Sequence, residues 1–292
     1  KMKGGRNEKA STGIFEKIGC FFKVLATPAS AYDTILQFNQ QDKKNPSMVS
    51  RARTTVYLPT LNLDFVKEVK NAAGVTVNDV MMSAVGGIVR RFSLHKGDSV
   101  EYLSTAVNRA LLPVALPRAQ EELEGADTGM KNKWAFASVA LPVAEDSCAG
   151  RLKKCHESTT ALKNSSMIAL QWIVQTYLLP LVPSFIRKQT VLDLFARHSM
   201  VFSNLPGEDQ TMMLGGKIPL LGVQAIFPNL LPQVILVTYN KQVYANMVLD
   251  PAYISEADKE LLQALWREEL LDMARSFQVN QNNIFATQQY LM

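Results

Sequence analysis

Gly86 and Gly87 stand side by side in the middle of a stretch that otherwise reads as an apolar helix. Met81, Ala84, Val85, Ile88 and Phe92 fall on one face at helical spacing. Thr76, followed three residues later by Asp79, forms a capping box that opens the helix. An interior glycine costs about 1 kcal/mol relative to alanine. A close backbone contact with a strand is the expected reason for keeping two in a row.

Strand and helix signals mix on both sides of this helix. Residues 54–58 read as a strand, and Asp64 is placed to cap a helix carrying Phe65, Val69 and Ala72 that Gly74 closes. Residues 100–107 and 134–141 read as strands, separated by a proline- and acid-containing loop around residues 113–130. A helix near residues 151–162 is expected to bury Leu152, Cys155, Thr159 and Leu162. Residues 200–202 read as a strand, and residues 233–239 and 243–249 as a hairpin across Asn240-Lys241. Ser255 and Asp258 make a second capping box, before a helix with Leu262, Trp266, Leu270 and Met273 facing inward. No internal repeat is apparent. The expected fold class is α/β, a mixed sheet layered with helices.

Residues 164–186 carry no formal charge and are long enough to cross a bilayer. Gln171, Gln175, Pro180, Pro183 and the polar start Asn164-Ser165-Ser166 favour a different reading. It is a buried helix ending at Pro180 and bordering a lipid-sized groove, with a membrane span as the alternative.

Charge is unevenly placed. Of the formal net charge of +5, most belongs to residues 1–50, where eight cationic side chains face four acidic ones. A basic leader on a nearly neutral body argues against a nucleic-acid-binding fold. Within it, Ile14, Ile18, Phe21, Phe22 and Leu25 follow helical spacing, so residues 13–25 can form an amphipathic helix. That helix would lie on a membrane surface or pack on a missing neighbour. Residues 37–50 read as a polar connector, and the Asn/Gln-rich end, residues 278–289, is expected to be mobile. Cys20, Cys148 and Cys155 are too few and too scattered for a disulfide framework or a zinc site, which fits a reducing compartment. No secretory signal is visible. An opening Lys in place of Met gives the expectation of a fragment.

Two motifs then carry a resemblance. Thr76-Val77-Asn78-Asp79-Val80 opens the glycine-bearing helix, within LNLDFVKEVKNAAGVTVNDVMMSAVGGIVRRF, and Ser203-Asn204-Leu205-Pro206-Gly207 follows much later. With the stretch from Phe136 to Lys163 and the pair Tyr239-Asn240 ahead of Asp250, they resemble the C-terminal half of the wax ester synthase/diacylglycerol acyltransferase family. Residues 13–48 look like the segment joining the two halves in that family. Glu208 departs from the usual second proline and is expected to loosen its turn. Lys241 departs from the usual glycine and is expected to disfavour a tight two-residue hairpin.

The resemblance implies a coenzyme-A-dependent acyltransferase-like (chloramphenicol acetyltransferase-like) lobe. It also implies transfer of a fatty acyl group from acyl-CoA to diacylglycerol or a long-chain alcohol. Such chemistry needs a base for the hydroxyl proton and donors for the developing oxyanion. In the family that base is the second His of His-His-x-x-x-Asp-Gly, which occurs nowhere in these residues, so no catalytic residue is assigned and the lobe alone is expected to be inactive. No metal site and no cofactor is expected, acyl-CoA being the substrate. Asn78 and Asp79 either cap and brace their own turn or support the active site from across the lobe interface. Ser203 and Asn204 either turn the chain or bind substrate, as do Pro206 and Gly207. His95 is expected in a polar loop and His156 on a helix surface, while His198 is the nearest in sequence to a plausible site.

The expected organisation is therefore a leader and inter-lobe crossover over residues 1–50, a C-terminal lobe over 51–277 and a polar tail over 278–292. Expected partners are acyl-CoA, diacylglycerol or a fatty alcohol, the missing N-terminal lobe and a peripheral membrane contact, with no nucleic acid. The expected location is cytosolic, at the periphery of a membrane or lipid droplet. Two rivals stay open. One is a non-catalytic lipid- or protein-binding module derived from such a lobe, and the other a condensation-type domain acting on carrier-bound acyl groups.

Overall fold

The computed structural model describes residues 32–39, 52–116 and 133–286. The expected helix over residues 13–25 and most of the connector over 37–50 lie outside them, as does the loop beyond residue 116. In chain order the elements are strand β1 (Thr54–Tyr57), strand β2 (Leu61–Asn62), helix α1 (Leu63–Ala73), helix α2 (Val77–His95) and the short helix α3 (Val100–Ser104). Strands β3 (Asn108–Ala115) and β4 (Trp134–Leu141) precede helices α4 (Cys148–Asn164), α5 (Met167–Ile173) and α6 (Ser184–Ala196). Then come β5 (Met200–Leu205), β6 (Met213–Leu214), β7 (Ile218–Pro219), β8 (Gln233–Tyr239), β9 (Gln242–Leu249) and helix α7 (Glu256–Ser276).

The main sheet runs β1-β9-β8-β5-β3-β4, with β2 also on β9. β5 is parallel to β8 and to β3, and the other pairings are antiparallel. Alternate residues of each strand serve opposite faces. Ala110, Met200, Phe202, Val234, Leu236, Ala245 and Met247 join the main core with α1, α2, α4 and α7. Leu111 and Val201 turn to the other face, where Phe136, Leu194 and Phe195 meet them. The expected mixed α/β layering is what the chain forms.

The capping box of α2 is present, with Asp79 N–H donating to Thr76 Oγ1 at 3.3 Å and Thr76 N–H to Asp79 Oδ2 at 2.9 Å. Its glycine pair meets two neighbours. A side chain at Gly86 would fall 2.9 Å from the Pro142 ring just past the end of β4, so the neighbour is a side chain and not the expected strand backbone. At Gly87 the neighbour is the Glu269 carboxyl of α7, 2.1 Å from an added Cβ. Glu269 is fully buried and accepts from Arg151 at 2.6 and 2.7 Å and from Arg91 at 2.9 Å, tying α4 and α2 to α7.

Several local expectations are corrected. Asn62, not Asp64, caps α1. Residues 100–104 are helical because Ser99 caps them, and the strand begins only at Asn108. Lys241 does not prevent a two-residue turn: Asn240 and Lys241 take φ of 48° and 58°, and Tyr239 pairs directly with Gln242. The 164–186 stretch is neither one helix nor buried. It breaks into α5, a π-turn (Val174–Leu178) and a 3-10 turn (Leu179–Leu181). Among the described residues no single helix is long and apolar enough to cross a membrane. The tail is docked through residue 286: Ile284 is buried, and Asn62 N–H donates to Ile284 O at 2.9 Å. The start of the expected connector is docked too, since Phe38 and Asn39 are buried and Gln37 N–H donates to Asp98 Oδ2 at 2.9 Å.

Candidate functional site

Asn78 sits in the first turn of α2 and Asn204 near the end of β5, and both line one cavity of about 270 Å³. Thr159 and Lys163 of α4 complete its polar side, while Leu112, Leu162, Ile168 and Phe202 make it otherwise apolar. Two carboxamides and an ammonium on an apolar wall can donate hydrogen bonds to an ester or thioester oxygen. The residues of this wall supply no imidazole or carboxylate to take a proton.

Ser203 is separated from that cavity by strand alternation, because its neighbours Phe202 and Asn204 occupy the cavity face. Pro206 and Gly207 are exposed and follow the end of β5. A side chain at Gly207 would fall 2.1 Å from the Thr238 carbonyl oxygen. The Glu208 carbonyl accepts from Asn240 N–H at 2.8 Å, tying this segment to the β8–β9 turn.

Asp79 is fully buried beside Asn78 and does more than cap. Its Oδ1 accepts from Thr159 Oγ1 at 2.5 Å, and its Oδ2 meets His156 Nδ1 at 2.9 Å as well as Thr76 N–H. Burial pushes the carboxyl up, but hydrogen bonds from Thr159, His156 and Thr76 outweigh it and hold the group below the ordinary aspartate value. A carboxylate only accepts, so Nδ1 carries the imidazole proton. The pairing of His156 with Asp79 was not visible in the sequence, which offered no local signal across 77 positions. The His156 side chain is 40% exposed and does not line the cavity.

The other histidines are structural. His198 is buried, with Nδ1–H donating to Leu194 O at 2.7 Å and Nε2 accepting from Ser138 Oγ at 2.9 Å. His95 ends α2 and is exposed, in place of the expected loop. Among the described residues no cluster of His, Cys, Asp and Glu is placed to hold a metal.

Two further cavities adjoin the first. One of about 300 Å³ shares Leu162 and Ile168 with it, and the next, of about 320 Å³, shares Phe136, Gln171 and Leu194 with the second. The groove expected beside residues 164–186 therefore exists, walled by Trp134, Val174, Leu179 and Phe195.

A mixed sheet with these helices on one face and this broken segment on the other defines a lobe of the coenzyme-A-dependent acyltransferase (chloramphenicol acetyltransferase-like) fold. Within that class, residues 130–273 match the family model of the WS/DGAT C-terminal domain, an acyltransferase-type lobe. The Asn78-Asp79 motif lies ahead of the matched region. Among solved structures, the chain is similar to the wax ester synthase/diacylglycerol acyltransferase from Marinobacter aquaeolei VT8. The identity is 16% and the TM-score 0.60, over 94% of this chain and 59% of that one. It is also similar to the epimerization domain from the third module of tyrocidine synthetase B (15%, TM-score 0.56, 90% and 57%). A third likeness is to TRI3 trichothecene 15-O-acetyltransferase from Fusarium sporotrichioides (12%, TM-score 0.52, 92% and 54%). At these identities the likenesses show the fold, and the chain spans less than two thirds of each structure. No curated protein matches the chain by sequence.

Proposed function

We propose that this chain is the C-terminal wall of a fatty acyltransferase that moves an acyl group from acyl-CoA to diacylglycerol or a long-chain alcohol. The products would be triacylglycerol or wax ester. The observation that carries the reading is the meeting of Asn78 and Asn204 on one largely apolar cavity, in a lobe matched by the WS/DGAT C-terminal domain. In this reading the two carboxamides face the acyl carbonyl and Asp79 braces the helix turn that carries Asn78, while the proton acceptor enters on an N-terminal lobe. Ser203, Pro206 and Gly207 would serve by holding the strand end that presents Asn204. The transfer uses acyl-CoA as substrate and calls on no cofactor. The protein would work in the cytosol at the edge of a membrane or lipid droplet.

Because no imidazole lines the cavity, the lobe by itself should not catalyse the transfer. Purified chain mixed with palmitoyl-CoA and hexadecanol, or with a diacylglycerol, should release no free coenzyme A above background. Alcohol-dependent release of the thiol would overturn this. The adjoining apolar cavities favour one second reading, a lipid-binding module without catalysis. Saturable hexadecanol binding, with no release of coenzyme A even when the N-terminal lobe is joined to the chain, would select it.

A further inference from the structure

The stretch between α5 and the middle of α6 leaves much of its apolar surface uncovered. Ile173, Tyr177, Leu181 and Phe185 recur every four residues and are 44%, 59%, 81% and 73% exposed. Leu178 and Ile186 widen the stripe, also uncovered. Here the inward side chains Val174 and Leu179 wall the 320 Å³ cavity, while their neighbours face out.

Charge adds a second, independent observation. From Asn164 to Leu192 there is no acidic residue, and the only charged side chains are Arg187 and Lys188. Both are exposed and make no ion pair among the described residues. An apolar stripe with unpaired cations at its flank suits a surface that is oily below and negative at its boundary. The length supports lying on such a surface and not crossing it, because the π-turn and 3-10 turn break the stretch.

We propose that residues 173–191 are a docking tip that rests on an anionic phospholipid surface, with Leu181 and Phe185 inserted among the acyl chains and Arg187 and Lys188 at the phosphates. This rests on the reading of a lipid-handling lobe and names the element that meets the lipid. The cavity behind the tip, and the two that adjoin it toward Asn78 and Asn204, put the docked face on the side from which a lipid acceptor would come.

The test is flotation of the full chain with vesicles of phosphatidylcholine alone and of phosphatidylcholine with phosphatidylserine. The chain should float with the anionic vesicles, and far less with the neutral ones. Leu181→Glu with Phe185→Glu should weaken binding at least tenfold. Arg187→Gln with Lys188→Gln should weaken it several-fold and flatten its salt dependence. All four positions are exposed, and unchanged circular dichroism and melting will show that the variants fold. Failure of the wild-type chain to float, or equal flotation of the glutamate variant, overturns the proposal. So does a result in which the glutamate variant instead dissolves a dimer seen by sedimentation, which would assign the tip to a second copy. None of these readouts involves acyl transfer, so the tip and the proposed reaction can fail separately.

Discussion

Asp79 links the first turn of α2 to α4 through a single carboxylate. It accepts hydrogen bonds from Thr76, Thr159 and His156, and an amide in its place has an NH₂ group where one oxygen was an acceptor. Asp79→Asn should therefore lower stability at pH 7 by about 1–3 kcal/mol, read by urea denaturation. The sign with pH follows from the direction of the shift. The folded-state pKa lies below the unfolded value of about 3.9, so the contribution is full above that value and is lost as pH falls through the folded one. Wild type and variant should thus converge in stability as pH drops below about 4, the variant having the shallower slope. Asp258 keeps part of that slope in both proteins. Burial raises its pKa, but Ser255 and Lys96 more than offset this and leave it lowered. A wild-type slope unchanged by the substitution would show that Asp79 carries no such contribution.

At the level of elements, α2 is fitted to its neighbours by the absence of side chains. Gly87→Ala would push a methyl into the Glu269 carboxyl and displace it from Arg151 and Arg91. Removing one partner from a buried pair costs about 3–5 kcal/mol, and a loss near the lower end is expected because the carboxyl shifts without vanishing. Gly86→Ala should cost less, since its neighbour is a proline ring edge at 2.9 Å. The β8–β9 turn has the opposite slack. Lys241 holds φ of 58°, a conformation that disfavours a side chain by about 1 kcal/mol or more. Lys241→Gly should therefore stabilise the lobe by about 1 kcal/mol, seen as a higher denaturant midpoint. A midpoint that falls would mean that the lysine makes contacts worth more than its backbone strain.

For the molecule as a whole, what the sequence made legible was local. Capping boxes at Thr76 and Ser255, the 134–141 strand and the β8–β9 hairpin were readable because each is decided within a few residues. Residues 100–104 misled because Val100 and Tyr102 alternate like a strand, while Ser99 caps a helical turn that ends before β3. Residues 164–186 misled because apolar content was taken for burial, whereas the segment breaks into short turns that stand over open cavities beside Leu111 and Phe136. The candidate site was half legible. Asn78 and Asn204 were marked one by one, but their meeting across the sheet, and the hold of His156 on Asp79, depend on packing with no local trace. The same separation explains the expected inactivity. The lobe gathers hydrogen-bond donors on its cavity and keeps its histidines elsewhere, His198 against Ser138 and His156 outside the wall.

The contact of Gly87 with Glu269 also bears on how such a sequence can drift. Any residue larger than glycine at 87 evicts the carboxylate, and loss of the carboxylate strands Arg151, a buried cation. Neither position can change first without harm, so the two are bound to move together or not at all, a case of strong epistasis between helices far apart in the chain.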